Sequence, residues 1–290
     1  MRDYVIMTDS CCDLTDEMAR ELELEVLPLT MHMDGQEYPN YLDGRAITNE
    51  EFYRRLRAGK MSTTSAVNPD QFAAAMRAVL SQGKDIVCVC FSSALSTTYQ
   101  SAVIAARDVA PEFPDGHVYV VDSLSASRGQ GLLIYLAAQK KREGLSAPEL
   151  AQWVEDNKLT ICHWFTVGDL NFLKRGGRLS AGAALFGTML SIKPIMHTSD
   201  EGKLVPMGKV RGRKASLQAL IDKVGELGVD LDRQIMFICH ADCLQESEEV
   251  AAELKRRYGV REVYIHYIGP VIGSHTGPGT MGLFFVGRER

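Results

Sequence analysis

The 290-residue sequence predicts an α/β protein in two parts, a parallel-sheet domain over residues 1–160 and an α+β domain over residues 161–290. Three segments of the first part share one pattern: an apolar run, an abrupt Asp/Ser/Thr cluster, then a helical stretch. They are YVIMTDSCCDLTDEMARELE from Tyr4, DIVCVCFSSALSTTYQSAVIAARDV from Asp85 and HVYVVDSLSASRGQGLLIYLAAQKK from His117. Apolar runs without in–out alternation predict strands buried on both faces, as in a parallel sheet. After about residue 160 the texture changes to strand pairs and helices in mixed order, which points to an α+β arrangement.

Each element has its own signal. LTDEMARELE carries a Thr15 or Asp16 cap followed by acidic first-turn residues. NPDQFAAAMRAVLSQGKD starts at Asn68 and Pro69 and stops at Gly83. The change of texture follows LSAPELAQWVEDNK. LSIKPIMHTSDEGKLVPMGKV reads as two strands joined by an Asp-Glu-Gly turn. RKASLQALIDKVGELG is a helix, RQIMFICHA a strand, ESEEVAAELKRRYG a helix and REVYIHYIG a strand.

Composition excludes several function classes. Lys and Arg total 32 against 37 Asp and Glu, and no basic stripe carries interleaved aromatics, so nucleic acid is not an expected partner. MRDYVIMTDS is not a signal peptide, and no stretch reaches the ~18 uninterrupted apolar residues of a membrane span, so a cytoplasmic protein is expected. The seven cysteines read as reduced thiols. CHADC at Cys239–Cys243 lacks the second ligand pair of a zinc site, and no cofactor is expected. None of the four Gly-Lys pairs precedes Ser or Thr, so no phosphate loop exists. GPGTMG from Gly277 matches a dinucleotide fingerprint in letters only, because no helix and no room for a distal acid follow it.

The hydroxyls carry the functional signal. FSSALSTTYQSA, Phe91–Ala102, holds four serines and two threonines at a strand-to-helix turn, and STTSAVNP, Ser62–Pro69, precedes a second helix. Helix N-termini present free N–H groups and bind anions. A third element, GPVIGSHTGPG, sets His275 in a glycine-rich loop. Three readings follow: plain helix caps, a nucleophile (Ser93 or Ser96 with His275 and an orienting Asp122), or a cradle for a carboxylate or phosphate. The surplus of hydroxyls favours the cradle, since a nucleophile needs one serine.

Six blocks, TDSCCDL, TTSAVNP, FSSALSTTYQSA, FTVGDLNFLKRGGRLSAGAALFGTMLSIKPIM, RGRKA and GSHTGPG, together resemble the DegV family in family order over residues 8–279. The resemblance implies a two-domain DegV-like fold with a lipid site between the domains. It implies a long-chain fatty acid as ligand and, for some members, service as the non-catalytic lipid-binding subunit of a fatty acid kinase whose separate subunit binds ATP. Carried over by motif, the carboxylate contacts would be Thr64, Ser96 and His275, with Ser65, Ser93 and Thr97 next. Two departures stand out: Ala66-Val67-Asn68 follow the Thr64–Ser65 pair, and Thr97 occupies a position where the family usually has glycine. Ala181–Ile192 would wall a tunnel for the tail, Arg211 or Arg213 would dock the kinase, and Arg175 and Arg178 bracket a structural Gly-Gly pair. The alternative from another class is a serine esterase or acyltransferase using Ser96 and His275.

Overall fold

The computed structural model describes residues 2–179 and 191–290. A four-stranded sheet has the order β2-β1-β6-β7, all parallel, from β1 (Tyr4–Asp9), β2 (Leu24–Leu27), β6 (Asp85–Cys90) and β7 (Val118–Asp122). A three-stranded antiparallel sheet, β4-β3-β5, is built from β3 (Thr30–Met33), β4 (Gln36–Pro39) and β5 (Ser62–Ser65). The third sheet runs β10-β9-β8-β13-β11-β12, from β8 (Ile161–Thr166), β9 (Ile192–Thr198), β10 (Leu204–Arg211), β11 (Ile235–His240), β12 (Glu262–Tyr267) and β13 (Met281–Val286). Its pairings are antiparallel except β11 with β12.

The three strand–hydroxyl–helix segments fold as read. β1, β6 and β7 are sheet neighbours, so their polar clusters emerge side by side at the C-terminal edge, where ligand crevices form in parallel sheets. Every residue of β6 is buried, which explains its unbroken apolar run; Cys88 and Cys90 pack there as small hydrophobes. Helix α1 (Asp16–Glu21) is capped by Thr15, whose hydroxyl accepts from Met18 N–H. Between it and residue 61 the sequence reading assigned no element, and the structure holds β2–β4 and α2 (Asn49–Arg57), whose buried face is Phe52, Tyr53 and Leu56. Helix α3 (Pro69–Leu80) has a full capping box between Asn68 and Gln71.

Two expectations need correction. Ser62–Ser65 is a strand, not a helix-cap cluster, because its β-branched threonines pair in register with β3, Met31 opposite Thr64. GPVIGSHTGPG is not a loop throughout, since Pro270–Thr276 is helical. Helices α4 (Thr98–Val109), α5 (Arg128–Arg142), α6 (Ala147–Asn157), α7 (Asn171–Arg175), α8 (Arg213–Leu227) and α9 (Leu244–Tyr258) precede this short helix, α10. Pro270 sits in its first turn, and Gly277, at φ 74°, ends it. Residues 181–190 of the expected tunnel wall, Ala181–Ile192, lie outside the described residues.

Helix α5 leaves the four-stranded sheet and packs against β8, β11 and β13, so it is buried almost all round from Arg128 to Leu133. A Cβ at Gly129 would come within 1.9 Å of His163 Nε2, so only glycine lets the helix lie this close to β8. Beneath α5 lies a buried carboxylate, Asp13. Its Oδ2 accepts from Ser127 Oγ at 2.5 Å and its Oδ1 from Gly269 N–H at 3.0 Å, which joins the first polar turn to the starts of α5 and α10. Burial pushes the Asp13 carboxyl up to about 7, while the bonds from Ser127 and Gly269 pull it back. Asp13→Ala leaves a buried hydroxyl and a buried N–H unpaired and is expected to cost about 2–4 kcal/mol in urea unfolding. Asp13→Asn, which keeps an acceptor without a charge to bury, is expected to cost clearly less; equal losses would contradict this account.

Candidate functional site

Between the C-terminal edge of the parallel sheet and the six-stranded sheet lies a cavity of about 400 Å³. Such a volume is within the roughly 300–1,000 Å³ of small-molecule pockets. Much of its wall is apolar, with Leu29, Phe165, Leu204, Ile268, Val271 and Phe284 supplied from several separate elements. Polar side chains gather where β5, the β6–α4 turn and α10 meet.

Thr64 is turned inward by the two-residue period of β5, and its hydroxyl lies 2.8 Å from His275 Nε2. The same alternation turns Ser65 outward. It is exposed, bonds His32 Nε2 at 2.7 Å and does not line the cavity, so this expected contact is not assembled with the others. Ser93, Ser96 and Thr97 all line the cavity. Ser96 Oγ accepts from Thr98 N–H at 3.2 Å and lies 2.8 Å from Thr98 Oγ1, so it closes the first turn of α4 and still borders the cavity. Thr97 occupies the N-cap position without a side-chain capping bond, and the turn is drawn tight instead by Leu95 and Ser96 N–H groups donating to Ser92 O.

His275 is held neutral. Burial, and secondarily the nearby Arg178 cation, lowers its pKa from 6.5 to about 4. Its Nδ1 is buried without a partner among the described residues, and a Cβ on Gly176 would come within 2.2 Å of that atom, so glycine is required beside the ring. The parts of a serine triad are not joined: His275 meets Thr64, and Asp122 Oδ1 accepts from the N–H groups of Ser93 and Leu124.

Arg178 is the residue that sequence reasoning assigned elsewhere. It lines the cavity, donating from Nε to Leu95 O at 3.1 Å and from Nη1 to Gly176 O at 2.6 Å, which sets a cation beside Ser96 and His275. The RGGR spelling marks a tight turn, and nothing local says which way its second arginine faces. Arg211 ends β10 exposed, and Arg213 is half-buried in an ion pair with Glu246 at 2.7 Å; neither lines the cavity. Arg213, one of the two expected docking arginines, is therefore engaged within the chain.

The profile of the family described as "Uncharacterised protein, DegV family" matches residues 3–288. A DegV domain-containing protein of Clostridium perfringens is 43% identical over 290 residues, covering 100% of this chain and 99% of that protein. Among solved structures, one concerning fatty acid binding of a DegV family protein from Thermus thermophilus has a TM-score of 0.86 at 31% identity, covering 99% of this chain and 100% of the other. DegV of Bacillus subtilis, described as a fatty acid binding protein, has a TM-score of 0.85 at 26% identity with the same coverage.

The neutrality of His275 has a measurable consequence. Because its folded pKa, about 4, lies below its ordinary 6.5, its contribution to stability is complete above pH 6.5 and is lost as pH falls toward 4. Burial pushes Asp9 and Asp13 up, to about 6 and about 7, so they act in the opposite direction over the same window. Comparing wild type with His275→Gln isolates the histidine. The variant is expected to shed up to about 3 kcal/mol of the acid-side loss in unfolding free energy. Superimposable pH profiles would contradict a buried, neutral His275.

Proposed function

Because this chain belongs to the DegV family, we propose that it binds a long-chain fatty acid in the cavity between the two sheets. The observation that carries the proposal is one cavity, largely apolar in its lining, at one end of which the Thr64–His275 contact and the Arg178 bonds to Leu95 and Gly176 gather Thr64, Ser96, His275 and Arg178, while Ser127, His163, Thr198 and Thr280 also line the wall. The carboxylate would sit at that end, with Ser93 and Thr97 at its rim, and the tail would fill the apolar body. The domains over 1–160 and 161–290 would then hold the ligand between them.

Magnitudes support this assignment of roles. Each buried methylene contributes roughly 0.8 kcal/mol, so a ~16-carbon tail offers on the order of 12 kcal/mol before ordering costs. A hydrogen bond to a charged group contributes about 1.5–3 kcal/mol. The tail supplies affinity, and the hydroxyls and His275 orient the head group.

The finer reading is that the chain presents the carboxylate to a separate ATP-dependent kinase subunit in the cytoplasm and has no catalysis of its own. Its support is the lack of any nucleotide-binding motif in the sequence, the polar end that borders a second, cationic cleft, and the exposed Arg211 as a docking cation. Among the described residues no helix is long and apolar enough to cross a membrane. Among the described residues His275 is bonded to Thr64 and to no serine, which favours a carrier over an esterase.

Native mass spectrometry of freshly purified protein, followed by solvent extraction, tests the binding. One equivalent of free fatty acid per chain is the expected result, and a clean apo mass with no thermal shift on adding palmitate would refute the reading. Ser96→Ala and Thr64→Ala are each expected to weaken palmitate by about tenfold, the effect of one charge-assisted hydrogen bond, and to lower kinase-coupled turnover further still.

A further inference from the structure

Four polar side chains line the cavity outside the elements that carry its head-group end: Ser127, His163, Thr198 and Thr280. Two of them are spent within the protein. Ser127 Oγ donates to Asp13, and Thr280 Oγ1 donates to Thr276 O at 2.9 Å. The other two are not. Thr198 is 1% exposed, yet among the described residues its hydroxyl makes no hydrogen bond. His163 is equally buried, and its Nε2 has no partner among the described residues. Orphaned polar atoms in an apolar wall are uncommon unless something else satisfies them.

Register makes these two residues neighbours. β8 pairs Trp164 with His197 of β9, so the next step along the same antiparallel pair sets His163 opposite Thr198. On its other side His163 pairs with Phe284 of β13, whose ring stands nearly perpendicular to the imidazole at 5.4 Å. Thr198, His163 and Phe284 thus form one row across three strands, and all three line the cavity. The row belongs to the six-stranded sheet, whereas Thr64, Ser96 and His275 come from β5, the β6–α4 turn and α10.

The tautomer fixes what the pair asks for. His163 Nδ1 lies 2.8 Å from Ile161 O, which can only accept, so the ring proton resides on Nδ1. Nε2 is left as a bare acceptor, and burial, with the Arg290 cation second, keeps the ring from taking another proton. It therefore calls for a donor, while the Thr198 hydroxyl can donate or accept. A methylene satisfies neither group. A carboxylate brings no proton to Nε2, and a keto oxygen answers only Thr198. A hydroxyl answers both, donating to Nε2 and accepting from Thr198.

We propose that Thr198 and His163 form a notch in the cavity wall that receives a hydroxyl group carried along an acyl chain, so that the preferred ligand class is a hydroxylated fatty acid. The inference rests on the fatty-acid reading above and adds a specificity to it.

The test uses the delipidated full chain, with affinities read by calorimetry. Stearate and palmitate are compared with 10-hydroxystearate, 12-hydroxystearate and 16-hydroxypalmitate, a series that moves the hydroxyl along the chain. At least one hydroxylated acid is expected to bind about tenfold more tightly than its parent, the effect of one net hydrogen bond. Thr198→Val, which keeps the side-chain shape and removes the hydroxyl, is expected to erase that ratio. Both affinities are measured on the same variant, so a general loss of binding cancels. The oxo counterpart of the preferred acid, which accepts but cannot donate, is expected to bind more weakly than the hydroxylated acid, and it carries the test on wild type should Thr198→Val not fold. Hydroxylated acids that bind no better than their parents overturn the notch and leave the fatty-acid reading intact. A preference that survives Thr198→Val, or an oxo acid that binds as tightly as its hydroxylated counterpart, also overturns it. Failure of every acid to bind removes both readings.

Discussion

Asp13 stands under both the cavity and its polar end. Its carboxylate is buried among the first polar turn, takes the Ser127 hydroxyl where α5 begins, and takes the Gly269 N–H where α10 begins. Those two starts matter for different reasons. Ser127 borders the cavity beside the helix that separates the two large sheets, while α10 carries His275. A buried carboxylate is costly unless hydrogen-bonded, and here the bonds that offset the cost are also the ones that set the two elements. Its neighbour Asp9 repeats the device between β1 and the β6–α4 turn, accepting Cys11 N–H at 3.0 Å and Phe91 N–H at 2.7 Å. Burial of charge at the edge of the parallel sheet thereby holds the hydroxyl-rich turns in place.

The polar end of the cavity is built from neutral donors with one cation beside them. Thr64 and Ser96 come from different sheets' surroundings, and His275 is kept uncharged by burial and by Arg178. A neutral imidazole can donate to a carboxylate or a phosphate without neutralising it, so charge compensation falls to Arg178, which is anchored by its own bonds to Leu95 and Gly176 carbonyls. For a fatty acid bound as proposed, the apolar lining of the cavity would supply most of the binding free energy and little orientation, a division that follows from the non-directional character of hydrophobic burial. Glycine at 176 has a single physical purpose in this arrangement, since any side chain there would displace the His275 ring.

Cations near the site divide into spent and unspent ones. Arg213 is paired with Glu246 and Arg57 with Asp242, so their charge is balanced within the chain. Among the described residues Arg175 and Arg178 lack such partners, and both border one small cleft together with Ser62 and His275, whose Oγ and Nδ1 are buried without partners. Balanced surface pairs contribute little to ligand attraction, whereas an unbalanced pair of arginines beside a buried site creates a local field for anions.

Local chemistry was enough to read much of this molecule. Apolar runs ending in hydroxyl clusters identified β1, β6 and β7; Thr15 and Asn68 marked the starts of α1 and α3; and the Asp-Glu-Gly turn joined β9 to β10. Six motif blocks identified the family. Where the sequence misled, the deciding contact was distant. Thr64 meets His275 across 211 residues, and Ser62–Ser65 becomes a strand only because β3 is there to pair with it. That pairing turns Thr64 inward and Ser65 outward, a choice of face that period-two geometry imposes and composition does not contain. Arg178 likewise acquires its place from the carbonyl of Leu95, 83 residues away. Caps, turns and buried runs are decided by short-range backbone hydrogen bonding and by burial, so the sequence alone determined them. Which hydroxyls, which imidazole and which arginine share one cavity depends on long-range packing, so only the tertiary structure decided it.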